Sequence, residues 1–370
     1  MNYLYDYFSG SNTFSKRVTS SADFQEIELL CNATLVKFLD ASGFENKKKM
    51  KATYLVIFLL LLLHLGYAQQ PGPKIFHGKL IFQSGFEPAS EVIAKGSDAD
   101  IIGTDSSFTN HNNWVDDLDN NPDIGFFNLQ FQGGDSTMRY AKIVAEPGNP
   151  NNHVLKFWLN EANVEGKKGR IQSNLYGDKG MKEFSQSERI FLPDDFNTVR
   201  TFPGKIDWLT IAEFWNNVTW DQHVPYGFRI TLGIGKPVET ESDLYFILDA
   251  QDCQLFSDDR QKYTTIWSHI NKDVKVPVGK WFRLQYYYKE GNAENGRFYM
   301  TIQPEGEEKE VIFDVTGFTH NTKDPSPDGV TDFCPMKLYT SKGLIDYMRS
   351  EGKTLQIYWD DFRLWEGTKR

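Results

Sequence analysis

Arg170, Gln172 and Asn174 alternate with Ile171, Ser173 and Leu175. As a strand, this segment has one face made wholly of hydrogen-bonding groups, which suits a solvated edge or a sugar-binding groove equally well. Over residues 210–217 the same period puts Ile211, Glu213, Trp215 and Asn217 on one face and Ala212, Phe214 and Asn216 on the other. Glu213 is then either a groove acid or base, or a carboxylate paired to an arginine on the sheet. Trp215 and Trp220 offer aromatic faces to the C–H side of a pyranose, and with 9 Trp in the chain core packing is the equal alternative. His223 stands in a polar loop before Pro225, the setting of a solvated imidazole. His111 has no second ligand at helical or hairpin spacing, so no zinc site is expected.

Residues 116–123 place oxygen ligands at alternate positions from Asp117, as a calcium loop does. Pro122 stands where that loop needs glycine and Asn128 where it needs a bidentate glutamate, so the stretch reads as a solvated acidic loop. The Asn217-Val218-Thr219 sequon matters only in a host that glycosylates secreted chains. The chain has no Gly-rich phosphate loop, no Gly-x-Ser-x-Gly and no Cys-x-x-Cys, which removes nucleotide enzymes, α/β-hydrolases and thioredoxin-like redox proteins.

The elements that must position these residues are short aromatic and β-branched runs separated by Gly, Asn, Asp and Pro. Strands are predicted at 79–83, 140–144, 153–159, 169–175, 188–191, 210–216, 227–234, 243–248, 281–288, 296–303, 310–315, 336–339 and 354–363, with one short helix at 343–351. Strands without alternating helices predict an all-β fold, a two-sheet antiparallel sandwich.

Lys47 to Lys49 and Lys51 precede an apolar run from Tyr54 to Leu63, and Gly66 and Ala68 are small residues at a signal-peptidase spacing. Residues 50–68 therefore read as a signal peptide, residues 1–49 as an over-called start or disordered leader, and residues 69–370 as one secreted domain beginning at Gln69. From residue 69 onward there are 33 Lys+Arg against 44 Asp+Glu, a net charge of −11. That balance argues against nucleic acid and anionic membranes, and requires basic residues to be gathered locally if the substrate is a polyanion. Cys253 and Cys334 are the two cysteines of this region, free to pair or to stay apart.

An ordered series of motifs spanning residues 75–367 resembles the jelly-roll polysaccharide lyases of the concanavalin A-like lectin/glucanase superfamily. The series comprises Ile211-Ala212-Glu213-Phe214-Trp215-Asn216-Asn217, Pro225 with Phe228-Arg229-Ile230-Thr231-Leu232, and Val278-Gly279-Lys280-Trp281 before a long strand. Lys337-Leu338-Tyr339, Lys342-Gly343 and Tyr358-Trp359-Asp360-Asp361-Phe362 complete it. The resemblance implies a groove for a polysaccharide or oligosaccharide and β-elimination at a uronate. That reaction needs neutralisation of the carboxylate, a base for the α-proton and an acid for the leaving oxygen. Arg170, Gln172 and Asn174 are the expected neutralising groups, with Tyr339 or Tyr347 as base and acid and His223 near them. Trp215, Asn217, Arg229 and Lys342 are the further expected substrate contacts.

Where such lyases commonly carry Gln and His, this chain has Glu213, Trp215 and Asn216, so Glu213 must be protonated or paired with Arg170 or Arg229. A glycan-binding protein without catalysis, or a glycoside hydrolase with a second carboxylate near Glu213, uses the same fold. The resemblance also implies a structural calcium ion between the first and last strands, with Glu87 and Asp361 as carboxylates. A monomer with no nucleotide partner is expected.

Overall fold

The computed structural model describes residues 78–367 apart from 97, 106–111, 115–124, 132–133, 164–165, 217–225, 241–242 and 256–260. Strands β1 to β7 are Lys79–Ser84, Glu91–Lys95, Asp98–Ile102, Thr104–Asp105, Asn112–Asn113, Phe126–Gln130 and Arg139–Glu146. Strands β8 to β14 are Asn149–Leu159, Lys168–Met181, Glu183–Phe191, Leu209–Asn216, Gly227–Gly235, Tyr245–Leu255 and Gln261–Asn271. Strands β15 to β20 are Trp281–Lys289, Arg297–Pro304, Glu310–Thr316, Val330–Cys334, Lys337–Ser341 and Leu355–Glu366, and helix α1 is Lys342–Ser350.

An eight-stranded sheet runs β17-β16-β15-β10-β20-β8-β7 with β1 beside β20, and a ten-stranded sheet runs β14-β13-β12-β11-β18-β9-β6-β3-β2 with β19 beside β11 and β9. All of these pairings are antiparallel, and the result is the two-sheet sandwich expected from the strand pattern, with the jelly-roll form that the resemblance implied.

Alternation decides what each strand gives the core. On β9, Ile171 and Leu175 are fully buried in the interior; on β10, Phe184 and Ile190 are; on β15, Phe282, Leu284, Tyr286 and Tyr288 are. Phe214 of β11 meets Phe184, Phe298 and Phe333 at ring-centre distances of 5.7, 5.7 and 6.1 Å, tying the two sheets together. The long strand β20 serves two partners: residues 355–359 pair with β8, and residues 362–366 pair with β1. The change comes at Asp361, in the left-handed region with φ 50°, where a bulge lets Trp359 and Phe362 both face the core.

One slot of the ten-stranded sheet is filled by two strands end to end. Between β9 and β11, β18 takes one half and β19 the other, with Pro335 and Met336 between them. Proline has no N–H to give the ladder. The hydroxyl of Ser173 covers the gap, donating to the Met336 carbonyl at 3.1 Å and accepting from the Met336 amide at 3.1 Å. The break also resets the alternation: Asp332 and Cys334 before it, and Lys337 and Tyr339 after it, reach the same outer face.

Candidate functional site

The outer face of the ten-stranded sheet is laid out in rows by register. Arg170 of β9 lies opposite Tyr339 of β19, and Gln172 opposite Lys337. Across the other edge of β9, Gln172 faces Gln130 and Asn174 faces Asn128. On β11, Glu213 faces Cys334 and Trp215 faces Asp332 on one side, and Trp215 faces Arg229 on the other. Arg170, Gln172, Asn174, Glu213, Trp215, Arg229 and Tyr339 therefore share one face. The structure does not bring Tyr347 or Lys342 to it. Tyr347 lies on α1 with its hydroxyl 3.0 Å from the Thr201 carbonyl, and Lys342 opens that helix in an ion pair with Asp346. Asn217, Trp220 and His223 lie outside the described residues, as do His111 and the acidic loop 116–123.

Glu213 is the electrostatic centre of the face. Its carboxylate is ion-paired to Lys337, accepts from the Trp215 indole N–H at 3.2 Å and lies 3.7 Å from Arg229. Glu213 and Lys337 are only 3% and 2% exposed, although both point away from the core. Burial pushes the Glu213 carboxyl up, but Lys337 and Arg229 outweigh it and hold the group below its ordinary value. Of the two arginines expected to pair with Glu213, Arg229 does, while Arg170 turns to Gln130 at 3.3 Å. The nearest cation, Lys337, is one the sequence reading had not placed in the site. Its signal was its spacing: two residues before Tyr339, it must share Tyr339's face on any strand.

Trp215 is buried, and its ring lies 5.2 Å below the Arg229 guanidinium, which also covers Tyr263 at 3.9 Å. It is a floor residue and not an open sugar platform. Exposed aromatics stand at the ends of the face instead. Trp208 packs on Tyr339 at 4.7 Å, and Phe126 and Tyr176 lie 5.9 Å apart on β6 and β9. The Tyr339 ring has two ammonium groups near it, Lys337 at 4.9 Å and Lys168 at 5.6 Å.

Between these ends runs an amide network. Gln172 donates to Asn174 at 2.5 Å and Gln130 at 3.3 Å, and Asn174 donates to Asn128 at 2.9 Å. Among the described residues, three buried polar atoms on this face have no hydrogen-bond partner: Arg170 Nε, Gln172 Oε1 and Asp332 Oδ1. Such atoms are costly unless a ligand or water satisfies them. Burial, the largest influence, pushes Asp332 up to about 6, with Glu213 adding to the rise and Lys337 and Arg170 opposing it.

The two cysteines both belong to this sheet and are free. Cys334 is on β18 and Cys253 on β13, three inter-strand steps apart, about 14 Å. A disulfide needs Cα atoms within about 7 Å, so the pairing left open by the sequence does not occur.

Glu87 and Asp361, the expected calcium carboxylates, do line one cleft of about 580 Å³, on the outer side of the other sheet, with Glu146, Arg189 and Asp360. Asp361 is held by Arg283 at 2.5 Å and Asp360 by Arg189 at 2.7 Å. Burial raises the Glu87 carboxyl, with Asp105 and Asp361 adding to it. The donors are of the right kind for a hard cation. Among the described residues, however, no three His, Cys, Asp or Glu side chains converge to hold a metal ion, so side chains alone do not make the site.

No family model and no curated protein matches the chain. Among solved structures it is similar to an alginate lyase, Aly36B, in complex with alginate tetrasaccharide, at 12% identity and a TM-score of 0.39, over 65% of this chain and 88% of that one. It is similar to an endo-β-1,4-glucuronan lyase from the fungus Trichoderma reesei at 13% identity and a TM-score of 0.35, over 62% and 87%. A third similar structure is the VIP36 exoplasmic/lumenal domain bound to calcium and Man3GlcNAc, at 11% identity and a TM-score of 0.34, over 66% and 85%.

Proposed function

We propose that the outer face of the ten-stranded sheet binds a uronate-containing polysaccharide and cleaves it by β-elimination. The observation that carries this reading is the register pair Arg170–Tyr339, with Gln172 opposite Lys337 one step along. A cation and an amide stand where a substrate carboxylate can be neutralised, and a phenol lies directly across from them. Neutralisation lets electron density move from the α-carbon onto the carboxylate as the proton leaves. Tyr339, as its phenolate, is the group we assign to take that proton, and the Lys337 and Lys168 ammoniums near its ring attract the negative charge the phenolate carries before it does so. The pair of electrons from the broken C–H bond forms the new double bond, the glycosidic C–O bond breaks, and the leaving oxygen is reprotonated by the same or a neighbouring acid.

Against the negative net charge of the chain, Arg170, Arg229, Lys337 and Lys168 gather on this face beside two carboxylates, Glu213 and Asp332. Glu213 does not repel a uronate, since two of those cations neutralise it. The proposal includes export, with cleavage after Ala68, and a calcium ion that only stabilises the fold near Glu87 and Asp361.

A second reading, hydrolysis, is favoured by one observation. Glu213 and Asp332 lie diagonally on adjacent strands, one held below its ordinary value and the other pushed up to about 6. Carboxylates separated in this way can serve as base or nucleophile and as acid. Incubation with uronate polysaccharides separates the two. Elimination gives an ultraviolet-absorbing unsaturated end with each new reducing end, and hydrolysis gives reducing ends alone.

A further inference from the structure

On the opposite side of the sandwich, the outer face of the eight-stranded sheet holds a pair of lysines with no carboxylate partner among the described residues. Lys142 of β7 lies directly opposite Lys156 of β8, Lys156 opposite Tyr358 of β20, and Tyr358 opposite Phe191 of β10. One step along, Tyr140 and Trp158 are cross-strand partners with rings stacked at 4.9 Å and 15°. The Lys142 ammonium is 4.8 Å from the Tyr140 ring centre, and Lys156 is 5.7 Å from that same ring and 5.4 Å from the ring of Tyr358. The aromatic rings thus hold two cations side by side.

Like charges directly opposite each other on an antiparallel pair are destabilising. The cost is increased here because Lys156 is half-buried; burial and then the Lys142 charge lower its affinity for the proton. Among the described residues neither lysine has a carboxylate partner, in a chain with 50 Asp+Glu against 40 Lys+Arg. Neighbouring cations on the same face are satisfied: Arg189 by Asp360 at 2.7 Å, Arg283 by Asp361 at 2.5 Å, and Arg297 by Asp314 at 2.7 Å. An unneutralised pair held against aromatic rings fits an anion supplied from outside. The surrounding ring surface fits the apolar faces of sugar rings. Two cations in an acidic chain are too few for nucleic acid.

We propose that Lys142 and Lys156, with Tyr140, Trp158 and Tyr358, form a second binding site, for carboxylates of an acidic polysaccharide, on the sheet opposite the proposed cleavage face. The class of glycan rests on the proposed function; the paired cations do not. The site would keep the enzyme on a polymer while the other sheet acts on a separate stretch of chain.

Affinity electrophoresis through gels containing alginate, polygalacturonate, a sulfated glycan or a neutral glucan tests this, using the Arg170→Ala protein so that cleavage does not remove the ligand. Retardation by the polyuronates is expected, with at least a tenfold loss of affinity when Lys142→Gln and Lys156→Gln are added. Retention on the neutral glucan, equal retention with and without the lysines, or no retention on polyuronate would overturn the proposal. So would release from polyuronate by millimolar inorganic phosphate, or preference for the sulfated glycan, either of which marks a general anion site. Lys142→Gln alone removes the repulsion, so it should lose retention on polyuronate while its melting temperature equals or exceeds that of the parent, which shows that lost binding is not lost folding. If the unaltered protein cleaves no polysaccharide but its retention still depends on the lysines, the proposed function fails and the second site stands.

Discussion

Lys337 and Glu213 are the residues on which the outer face depends most, because each is buried and each is the other's nearest counter-charge. Removing one partner of a buried pair costs up to about 3–5 kcal/mol, and Arg229, 3.7 Å from Glu213, compensates only part of the charge that Lys337 leaves behind. Lys337→Met should therefore destabilise the protein by that order, and adding Glu213→Gln should recover most of it; denaturant titration of the single and double variants checks both. Arg170 is different: it is half-buried and hydrogen-bonded to neutral Gln130, and its charge acts on Asp98 and Asp332 only as a secondary influence beside burial. Arg170→Ala should lower kcat by more than it raises KM, since a preplaced cation is worth most when the substrate carboxylate takes up charge in the transition state. Tyr339→Phe should leave binding within a few-fold and reduce turnover by about 10²–10⁴. A Phe variant that keeps more than a tenth of the activity would remove Tyr339 from the proton transfer.

At the scale of elements, the slot shared by β18 and β19 brings Asp332, Lys337 and Tyr339 to the outer face, and its start depends on glycine. Gly180 of β9 has φ +87°, and a Cβ there would run into the Asp328 carbonyl oxygen just before β18. Gly180→Ala should cost about 1–3 kcal/mol and displace β18 with Asp332, seen as a lowered melting temperature together with reduced activity. The strands around the site were legible in the sequence wherever alternation was clean. The Arg170-Gln172-Asn174 and Glu213-Trp215 faces and the short helix all follow from periods of two and 3.6. β18 was not legible, because the Pro335–Met336 break reverses the alternation between Cys334 and Lys337, so no single period spans the pair. β14 was missed for another reason. It lies at the sheet edge, and residues such as Thr264, Ser268 and His269 are exposed, so no apolar stripe marks it. Spacing also could not show that Tyr347 would turn to Thr201 or that Trp215 would lie beneath Arg229, since both depend on tertiary packing.

Inside the sandwich, β10 carries Glu188, fully buried and hydrogen-bonded by Gln186 at 2.9 Å; burial pushes it up to about 8 from 4.5. The folded state thus holds a proton that the unfolded chain releases above about 4.5. Stability contributed by this group is complete below that pH and is lost as pH rises toward about 8. Asp332, at about 6, has the same sign over a lower window. Glu188→Gln should flatten the decline between pH 5 and 8 in melting temperature; an unchanged pH profile would contradict the assignment.

For the molecule as a whole, the acidic chain concentrates cations on one outer face and a lysine pair on the other, while Glu87 and Asp361 line the cleft proposed for calcium. Calcium bound there at about 100 times its Kd would stabilise the fold by about 2.7 kcal/mol. A melting temperature that is the same in calcium and in chelator would remove the ion from the account. Exported protein should begin at Gln69, and N-terminal sequencing that finds residues 1–49 retained would contradict the proposed leader cleavage. The central claim is that the Arg170–Tyr339 face performs β-elimination. It is tested most directly by incubating the protein with a panel of uronic-acid polysaccharides while following both ultraviolet absorbance and new reducing ends. The two should rise together on at least one polyuronate, and both rates should fall about a hundredfold or more in Tyr339→Phe. Reducing ends without absorbance, or tight binding with neither signal, would contradict it.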